Sequence, residues 1–366
     1  MTTRDKTRPV RVGGVIIGGG HPVAVQSMTN TDTRDVEATV AQILALEAAG
    51  CEIIRASVYD EECARAFRAI RDRIHIPLVA DIHFSADLAV QAVENGADKL
   101  RINPGNIGGP DRVQRVVDAA RAHRVPIRIG VNAGSLEKPL LERYGVTAQA
   151  IVESALGHVR LLEERGFTDI VLSLKASDVP LCVESYRRIA ELCDYPLHLG
   201  VTEAGFGEQG LVKSAMGLGA MLLDGLGDTI RVSLSGDPVQ EVDAAWAVLR
   251  SAGVRRRGVE IISCPTCGRT GIDVEGLARE VVRRTAHITK PLKVAVMGCV
   301  VNGPGEAREA DVGIAGGQGR GALFLRGQPP RTVPQEGLLD ALLAAIEGLT
   351  GENGEEHTND GGFGCP

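Results

Sequence analysis

The sequence predicts an α/β protein, a TIM-type (β/α)8 barrel followed by a small α+β domain. Three observations lead there. Short β-branched runs alternate with Ala- and Leu-rich segments of helical period, and each pair closes at Gly or Pro. Eight such pairs lie between Pro22 and Gly253, close to the ~250 residues that a (β/α)8 barrel takes. No GxGxxG follows the first strand, which disfavours the rival, an open doubly wound sheet.

The elements follow in order. RPVRVGGVIIGGG, from Arg8, reads as a small hairpin placed to plug a barrel floor. The strand runs are PVAVQSM (from Pro22), CEIIRASV (Cys51), IPLVADIHF (Ile76), ADKLRINPG (Ala97), VPIRIGVN (Val125), FTDIVLSLKAS (Phe167), YPLHLGVTEAG (Tyr195) and DTIRVSLSG (Asp228). PVQEVDAAWAVLRSAG supplies the last barrel helix and ends near Gly253, so residues 1–253 form the barrel with its hairpin. Residues 254–350 form the second domain: a strand (VEIIS), a helix after Asp273, a strand (KVAVMG), a Gly-rich stretch, short strands (DVGIA, ALFLR) and a final helix (GLLDALLAAIEGL). Residues 351–366 are polar and Gly-rich, with the composition of a disordered tail in which Cys365 is incidental.

Composition narrows the function. The 366 residues carry 40 Lys and Arg against 47 Asp and Glu, a net charge of −7, which argues against a general nucleic-acid binder. Aromatic residues are 3% of the chain, too few for base stacking. The longest run without a charge, Val12–Thr31, is broken by glycines and Pro22, so it is no membrane span. MTTRDKTRP leads into no signal-peptide core, and a cytoplasmic location is the expectation. Eight cysteines are too sparse for a disulfide scaffold.

Residues i and i+2 of a strand share a face. Several strand ends carry polar pairs at that spacing: Arg55/Ser57, Asp81/His83, Arg101/Asn103, Ser173/Lys175 and Arg231/Ser233, while Arg128 and Asn132 share the fifth strand's face. In a barrel the carboxyl ends of the strands ring one mouth, so five cations and His83 would meet there. Unpaired buried charges cost several kcal/mol each. Asp81 and Glu203 supply only two counter-charges, and the remainder fits a phosphorylated ligand gripped by arginine. Alternatively each cation turns outward to pair with a helix carboxylate. Glu203, in HLGVTEAG, could donate or accept a proton there or simply balance charge. Lys175 among arginines also suits a Schiff-base nucleophile.

The second domain holds Cys264-Pro-Thr-Cys267 and, in MGCVVNGPGE, Cys299. A thiol redox pair, a zinc site and a 4Fe–4S cluster compete. Zinc lacks a fourth cysteine, and the lone His287 sits in a helical stretch. In a cluster, an iron lacking thiolate can take an oxygen ligand, and Glu306, beyond the Asn302–Gly305 turn, is the nearest carboxylate on that loop. Cys51, Cys63, Cys182 and Cys193 have no paired spacing and read as small buried residues. The eighth helix ends at the barrel floor, and residues 254–258 reach at most about 18 Å, whereas the helix has carried the chain about 21 Å from the mouth. A head-to-tail dimer, with the cysteines of one chain over the barrel of the other, resolves the mismatch.

PVAVQSMTNTDT, ADIHF, LRINPGN, RIGVN, LSLKAS, HLGVTEAG, SCPTCGR and MGCVVNGPGE, in this order between Pro9 and Leu349, together resemble the 4-hydroxy-3-methylbut-2-en-1-yl diphosphate synthases of the methylerythritol phosphate pathway to isoprenoid precursors, in their two-domain form. The resemblance implies reductive ring opening of 2-C-methyl-D-erythritol 2,4-cyclodiphosphate to (E)-4-hydroxy-3-methylbut-2-enyl diphosphate. It implies two electrons from ferredoxin or flavodoxin, a homodimer with sites shared in trans, and a barrel similar to that of dihydropteroate synthases. It assigns Cys264, Cys267, Cys299 and Glu306 to a 4Fe–4S cluster. Arg55, Arg101, Asn103, Arg128, Asn132, Lys175, Arg231 and Ser233 fall to the diphosphate, beside Asp81 and His83, and Glu203 to acid/base work. Two readings stand against it: a Schiff-base lyase centred on Lys175 with a zinc-stapled second domain, and a non-catalytic phosphometabolite sensor.

Overall fold

A computed structural model describes residues 2–299, 310–317 and 319–351. Glu306, the Asn302–Gly305 turn and the tail from residue 352, with Cys365, lie outside the described residues. The chain divides into two units after Arg255.

In the first unit, β1 (Val10–Val12) and β2 (Val15–Ile17) form an antiparallel hairpin. The barrel follows as β3 (Ala24–Met28), α1 (Val36–Ala49), β4 (Ile53–Ser57), α2 (Glu61–Arg71), β5 (Leu78–Asp81), α3 (Ala86–Glu94), β6 (Lys99–Ile102), α4 (Pro104–Ile107), α5 (Pro110–His123), β7 (Ile127–Asn132), α6 (Lys138–Tyr144), α7 (Ala148–Glu163), β8 (Ile170–Lys175), α8 (Val179–Leu192), β9 (His198–Leu199), α9 (Gly207–Leu223), β10 (Thr229–Ile230) and α10 (Pro238–Ser251). The eight parallel strands run in the order β8-β7-β6-β5-β4-β3-β10-β9, and a parallel bridge from Leu172 to Leu197 joins the two ends. All eight runs read from the sequence carry a strand.

Period-two alternation divides each strand between two environments. Val25, Ile54, Ala80, Leu100, Ile129 and Leu172 face the helices and join the main core. Ala24, Ile53, Val79 and Val171 point into the barrel and pack on Val10, Val12 and Ile17 of the hairpin. The hairpin therefore closes the amino-terminal end of the barrel with apolar side chains, each contributing about 1.5–3 kcal/mol on burial. Asp35, Asp60, Ser85, Thr147, Asp178 and Asp237 cap the helices that follow the strands. Each cap contributes about 1 kcal/mol and turns the chain sharply from strand to helix.

Two departures from the sequence reading concern the mouth. The seventh and eighth runs look long, yet their regular strands are only two residues each. Arg231 and Ser233 thus lie beyond the ladder, although Arg231 N–H still donates to Leu199 O at 3.0 Å. The extra helices α4 and α6 were not foreseen. Asn103 caps α4, its Oδ1 accepting from Gly105 N–H at 3.1 Å, because Pro104 fits the first helical turn where its missing N–H costs nothing.

The second unit contains β11 (Val259–Ser263), α11 (Val274–Thr285), β12 (Leu292–Met297), β13 (Val312–Ala315), β14 (Arg320–Leu325), β15 (Arg331–Pro334) and α12 (Leu338–Thr350). The strands form one sheet in sequence order, parallel from β11 to β13 and antiparallel from there. α11 and α12 bury Val281, Leu338, Leu342 and Ile346 against Val294, Val296, Val312 and Ile314. The helix read through His287 ends at Thr285.

Candidate functional site

The barrel interior is built from charges. The face of β4 that starts with Ile53 continues to Arg55, and that of β5 from Val79 to Asp81. The same alternation places Lys99 and Arg101 on β6, Arg128 and Asn132 on β7, and Ser173 and Lys175 on β8. Arg55, Arg128 and Lys175 are buried, and the side chains of Arg101 and Arg231 are nearly so. The alternative in which the cations turn out to solvent therefore fails.

Asp81 is the hub. Its Oδ1 accepts from Arg101 Nη1 at 3.1 Å, and its Oδ2 lies 3.8 Å from Arg55 Nε and 3.5 Å from His83 Nε2. Burial alone would raise the pKa of this carboxyl, but Arg55, His83 and Arg101 together hold it well below the usual carboxylate range. Asp81 is ionised at any pH at which the protein works. Burial, with Arg231 and Arg101 nearby, pushes Arg55 down to about 10. Burial also lowers Arg128 and Lys175 well below their ordinary values, reinforced at Arg128 by Arg55 and at Lys175 by Arg128 and Arg231. Such depression marks positive charge stacked with too little counter-charge. Unpartnered N–H groups say the same: Arg101 Nε, Arg128 Nε and Nη1, and Arg231 Nε are buried without a hydrogen-bond acceptor. A polyanion supplies both charge and acceptors.

Glycines make room for two of the cations. A Cβ on Gly130 would lie 2.8 Å from Arg101 Nε, and one on Gly200 would lie 2.6 Å from Lys175 Nζ. Met28 Sδ receives Arg55 Nη2 at 2.8 Å and Arg231 Nη1 at 3.5 Å, a weak acceptor that a phosphate oxygen outcompetes.

One expectation needs correction. Glu203 was read as the second counter-charge, but its side chain is exposed and its backbone is left-handed, with φ of 51°. Among the described residues the second paired carboxylate is Glu241, from the first turn of α10. Its Oε2 accepts from Arg231 Nη2 at 3.4 Å and from Ser27 Oγ at 3.3 Å, and its Oε1 from Leu234 N–H at 3.0 Å. The signal was present: Glu241 stands at the head of the buried stripe Ala245, Val248 and Leu249, a charge where helical period demands an apolar residue. Lys99 and His198, both wholly buried in the barrel, were also missed. Lys99 precedes Arg101 by two residues, so the alternation that found one contains the other. Ser233 and His83 sit at the mouth beyond the strand ends, partly exposed and exposed respectively.

In the second unit, Ser263 of β11 pairs with Val296 of β12, so the Cys264–Cys267 turn and Cys299 leave neighbouring strand ends. Gly298 N–H donates to Cys264 Sγ at 3.1 Å. Hydrogen bonds from the Arg269 backbone and side chain lower the pKa of the exposed Cys267 thiol. The lowered pKa of Cys267 favours thiolate, the form that ligates metal. Among the described residues no group of three or more His, Cys, Asp or Glu side chains is gathered as a finished metal site. The fourth residue of the expected set, Glu306, is outside them. Cys51, Cys63 and Cys182 are buried and Cys193 partly so, as expected of small core residues.

Residues 7–246 match the GcpE TIM-barrel domain and residues 260–348 the GcpE protein C-terminal domain. The chain belongs to the GcpE family. A 4-hydroxy-3-methylbut-2-en-1-yl diphosphate synthase (flavodoxin) from Caldanaerobacter subterraneus subsp. tengcongensis is 59% identical over 350 residues, covering 95% of this GcpE chain and 99% of its own length. The enzyme of the same name from Geobacter sulfurreducens is 58% identical, with the same coverage. A solved dihydropteroate synthase from Yersinia pestis aligns with 67% of the GcpE chain and 98% of its own, at 14% identity and a TM-score of 0.48. Among the described residues no helix is long and apolar enough to cross a membrane.

Proposed function

We propose that this GcpE protein is an oxidoreductase that opens the ring of 2-C-methyl-D-erythritol 2,4-cyclodiphosphate by two-electron reduction, giving (E)-4-hydroxy-3-methylbut-2-enyl diphosphate for isoprenoid synthesis. The observation that carries the reading is the barrel interior, with its cations in excess of Asp81 and Glu241 and their N–H groups lacking acceptors. A cyclic diphosphate brings the missing negative charge. The 59% identical relative bearing that activity in its name points the same way, and favours this reading over a Schiff-base lyase.

Arg55, Arg101, Arg128, Lys175 and Arg231 bind the diphosphate, with Asn132 and Ser233 adding neutral hydrogen bonds and Asn103 its free amide N–H2. Asp81 holds Arg55, Arg101 and His83 in register without itself taking a proton. Gripping the unreacting diphosphate fixes the carbon skeleton, so that binding energy lowers the barrier at the reacting carbons. Glu203, exposed at the mouth, handles a proton as a hydroxyl leaves as water. Cys264, Cys267, Cys299 and Glu306 would hold a 4Fe–4S cluster, which supplies one-electron steps and Lewis acidity at an iron without thiolate. Flavodoxin is the donor supported by the relatives' names, ferredoxin is its chemical equivalent, and the cytoplasm is the setting.

A homodimer with an active site shared between chains is part of the same reading. Its support lies in how the barrel ends. Arg255 donates to Val23 O at 2.7 Å and pairs with Glu52, just before β3 and β4, at the floor. Only residues 256–258 then precede β11.

The test is purification without oxygen, followed by iron and sulfide analysis and assay with reduced flavodoxin and the cyclic diphosphate. A brown protein that forms the open-chain diphosphate supports the reading. A colourless, zinc-loaded protein without ring opening overturns it.

A further inference from the structure

Below the mouth lies a second set of polar groups. Gln26, Arg128 and His198 come from the alternate strands β3, β7 and β9, which with Val79 of β5 supply one side-chain layer of the barrel. Lys99 reaches this layer from β6, its Nζ donating to Gln26 Oε1 at 3.2 Å. Gln26, Lys99, Arg128 and His198 are each at most 1% exposed, and the β1–β2 hairpin seals the barrel beneath them.

The hydrogen-bond inventory of this layer is one-sided. Gln26 Nε2, Arg128 Nε and Nη1, and His198 Nε2 have no partner, and Arg128 has one such group to offer this layer and one to offer the diphosphate above. His198 Nδ1 lies 2.6 Å from Thr229 Oγ1. With the threonine hydroxyl donating, Nε2 carries the ring hydrogen and becomes another donor. Each acceptor already receives a cation: Gln26 Oε1 accepts from Lys99, and Asp81 accepts from Arg101 with Arg55 and His83 beside it. The charged groups that act on Lys99 are Arg128 and Arg55, both cations. A water molecule would satisfy two donors but bring two hydrogens of its own into a layer where donors already outnumber acceptors. A group that only accepts, and that carries negative charge, fits the inventory.

We propose that Gln26, Lys99, Arg128 and His198 form a buried site for one monatomic anion of the chloride class, beneath the diphosphate-binding mouth. A halide sheds its water shell more readily than phosphate or sulfate, which suits a layer closed above by the Asp81 network and below by the hairpin. With the anion in place, the repulsion of Arg55 and Arg101 by Arg128 from beneath is offset.

The test uses the substrate-free, full-length protein, so its outcome is separate from that of the diphosphate reading. Crystals soaked in sodium bromide are expected to give an anomalous peak bounded by Lys99, Arg128 and His198. In solution, sodium chloride is expected to raise Tm by about 2–4 °C over sodium gluconate at matched ionic strength, the shift of ~1 kcal/mol in a domain of this size. Lys99→Met should abolish that difference. Should the variant fail to fold, the bromide map of the wild type decides alone. A bromide peak confined to the mouth, a water in the layer, or no peak overturns the proposal, as does a chloride effect that survives in Lys99→Met.

Discussion

A methyl group on Gly200 would lie 2.6 Å from Lys175 Nζ. The absence of a side chain on β9's continuation is thus what allows the Lys175 ammonium to stand inside the barrel. Gly200 is not in the left-handed region, so alanine there meets no backbone penalty, and Gly200→Ala acts on the lysine and on Arg231 O, 3.1 Å away. The variant should fold, lose ~2–4 °C in Tm, and raise KM for the cyclic diphosphate about 10-fold, equivalent to ~1.4 kcal/mol. Steady-state kinetics beside a melting curve check this. An unchanged KM would remove Lys175 from the diphosphate site.

Glu241 predicts a different pattern, because it touches Arg231 and the Leu234 backbone. Glu241→Gln keeps the acceptor for Leu234 N–H and loses the charge facing Arg231; Glu241→Ala loses both. A charge-assisted hydrogen bond contributes ~1.5–3 kcal/mol, so the alanine variant should weaken diphosphate binding by about 10- to 100-fold. The glutamine variant should recover only the part of that loss that comes from the Leu234 N–H bond. Equal loss in both would point to a role resting on charge alone.

These residues show what sequence reading reaches and where it stops. Strand alternation is a local, period-two rule, and it places Arg55, Asp81, Arg101, Arg128 and Lys175 inside one barrel without any tertiary information. Glu241 arrives from a helix that packs beside β3 and β10, so only the closure of the barrel brings it to Arg231. Glu203 shows the converse: its run looked like strand, but the regular ladder stops at Leu199, and a left-handed residue at 203 turns its side chain to solvent. In the second unit the cysteine spacing was legible, and the pairing of β11 with β12 brings Cys264 and Gly298 together.

Glu203→Gln tests the proton role. Its exposed side chain makes no contribution to the cation network, so the variant should keep wild-type Tm and KM. Turnover should fall at least 100-fold, within the ~10²–10⁴ range of a general acid or base. Near-normal turnover, measured with reduced flavodoxin, would end that assignment.

Trans sharing makes a mixing prediction. On the proposed reading Glu203→Ala should inactivate the barrel and Cys299→Ser the second unit, so each homodimer should be inactive. Co-expression with two affinity tags, then isolation of the doubly tagged species, should yield about half the wild-type activity, since one of two composite sites is intact. Inactive hybrid dimers would argue that each chain completes its own site.

Asp228 sets a pH dependence separable from catalysis. It is buried at the start of β10, accepting from Thr7 Oγ1 at 2.9 Å and from Leu197 N–H at 2.8 Å. Burial raises its pKa to about 6, against the pull of those hydrogen bonds. A folded-state pKa above the unfolded value of ~3.9 means that the folded protein holds this proton more tightly. The stabilisation is therefore full below the unfolded pKa and is lost as pH rises from about 4 to about 6. Integrated over that window it amounts to ~3 kcal/mol. Asp81 stays ionised in the folded protein, and the slope it adds near pH 4 as the unfolded chain takes up its proton is common to wild type and variant and cancels in their difference. Asp228→Asn cannot ionise, so the stability of the wild type minus that of the variant should fall steadily across the window and be flat above it. Denaturant melts at several pH values measure the difference. A difference that rises with pH would show that the hydrogen bonds from Thr7 and Leu197 outweigh burial and that Asp228 is a stabilising anion.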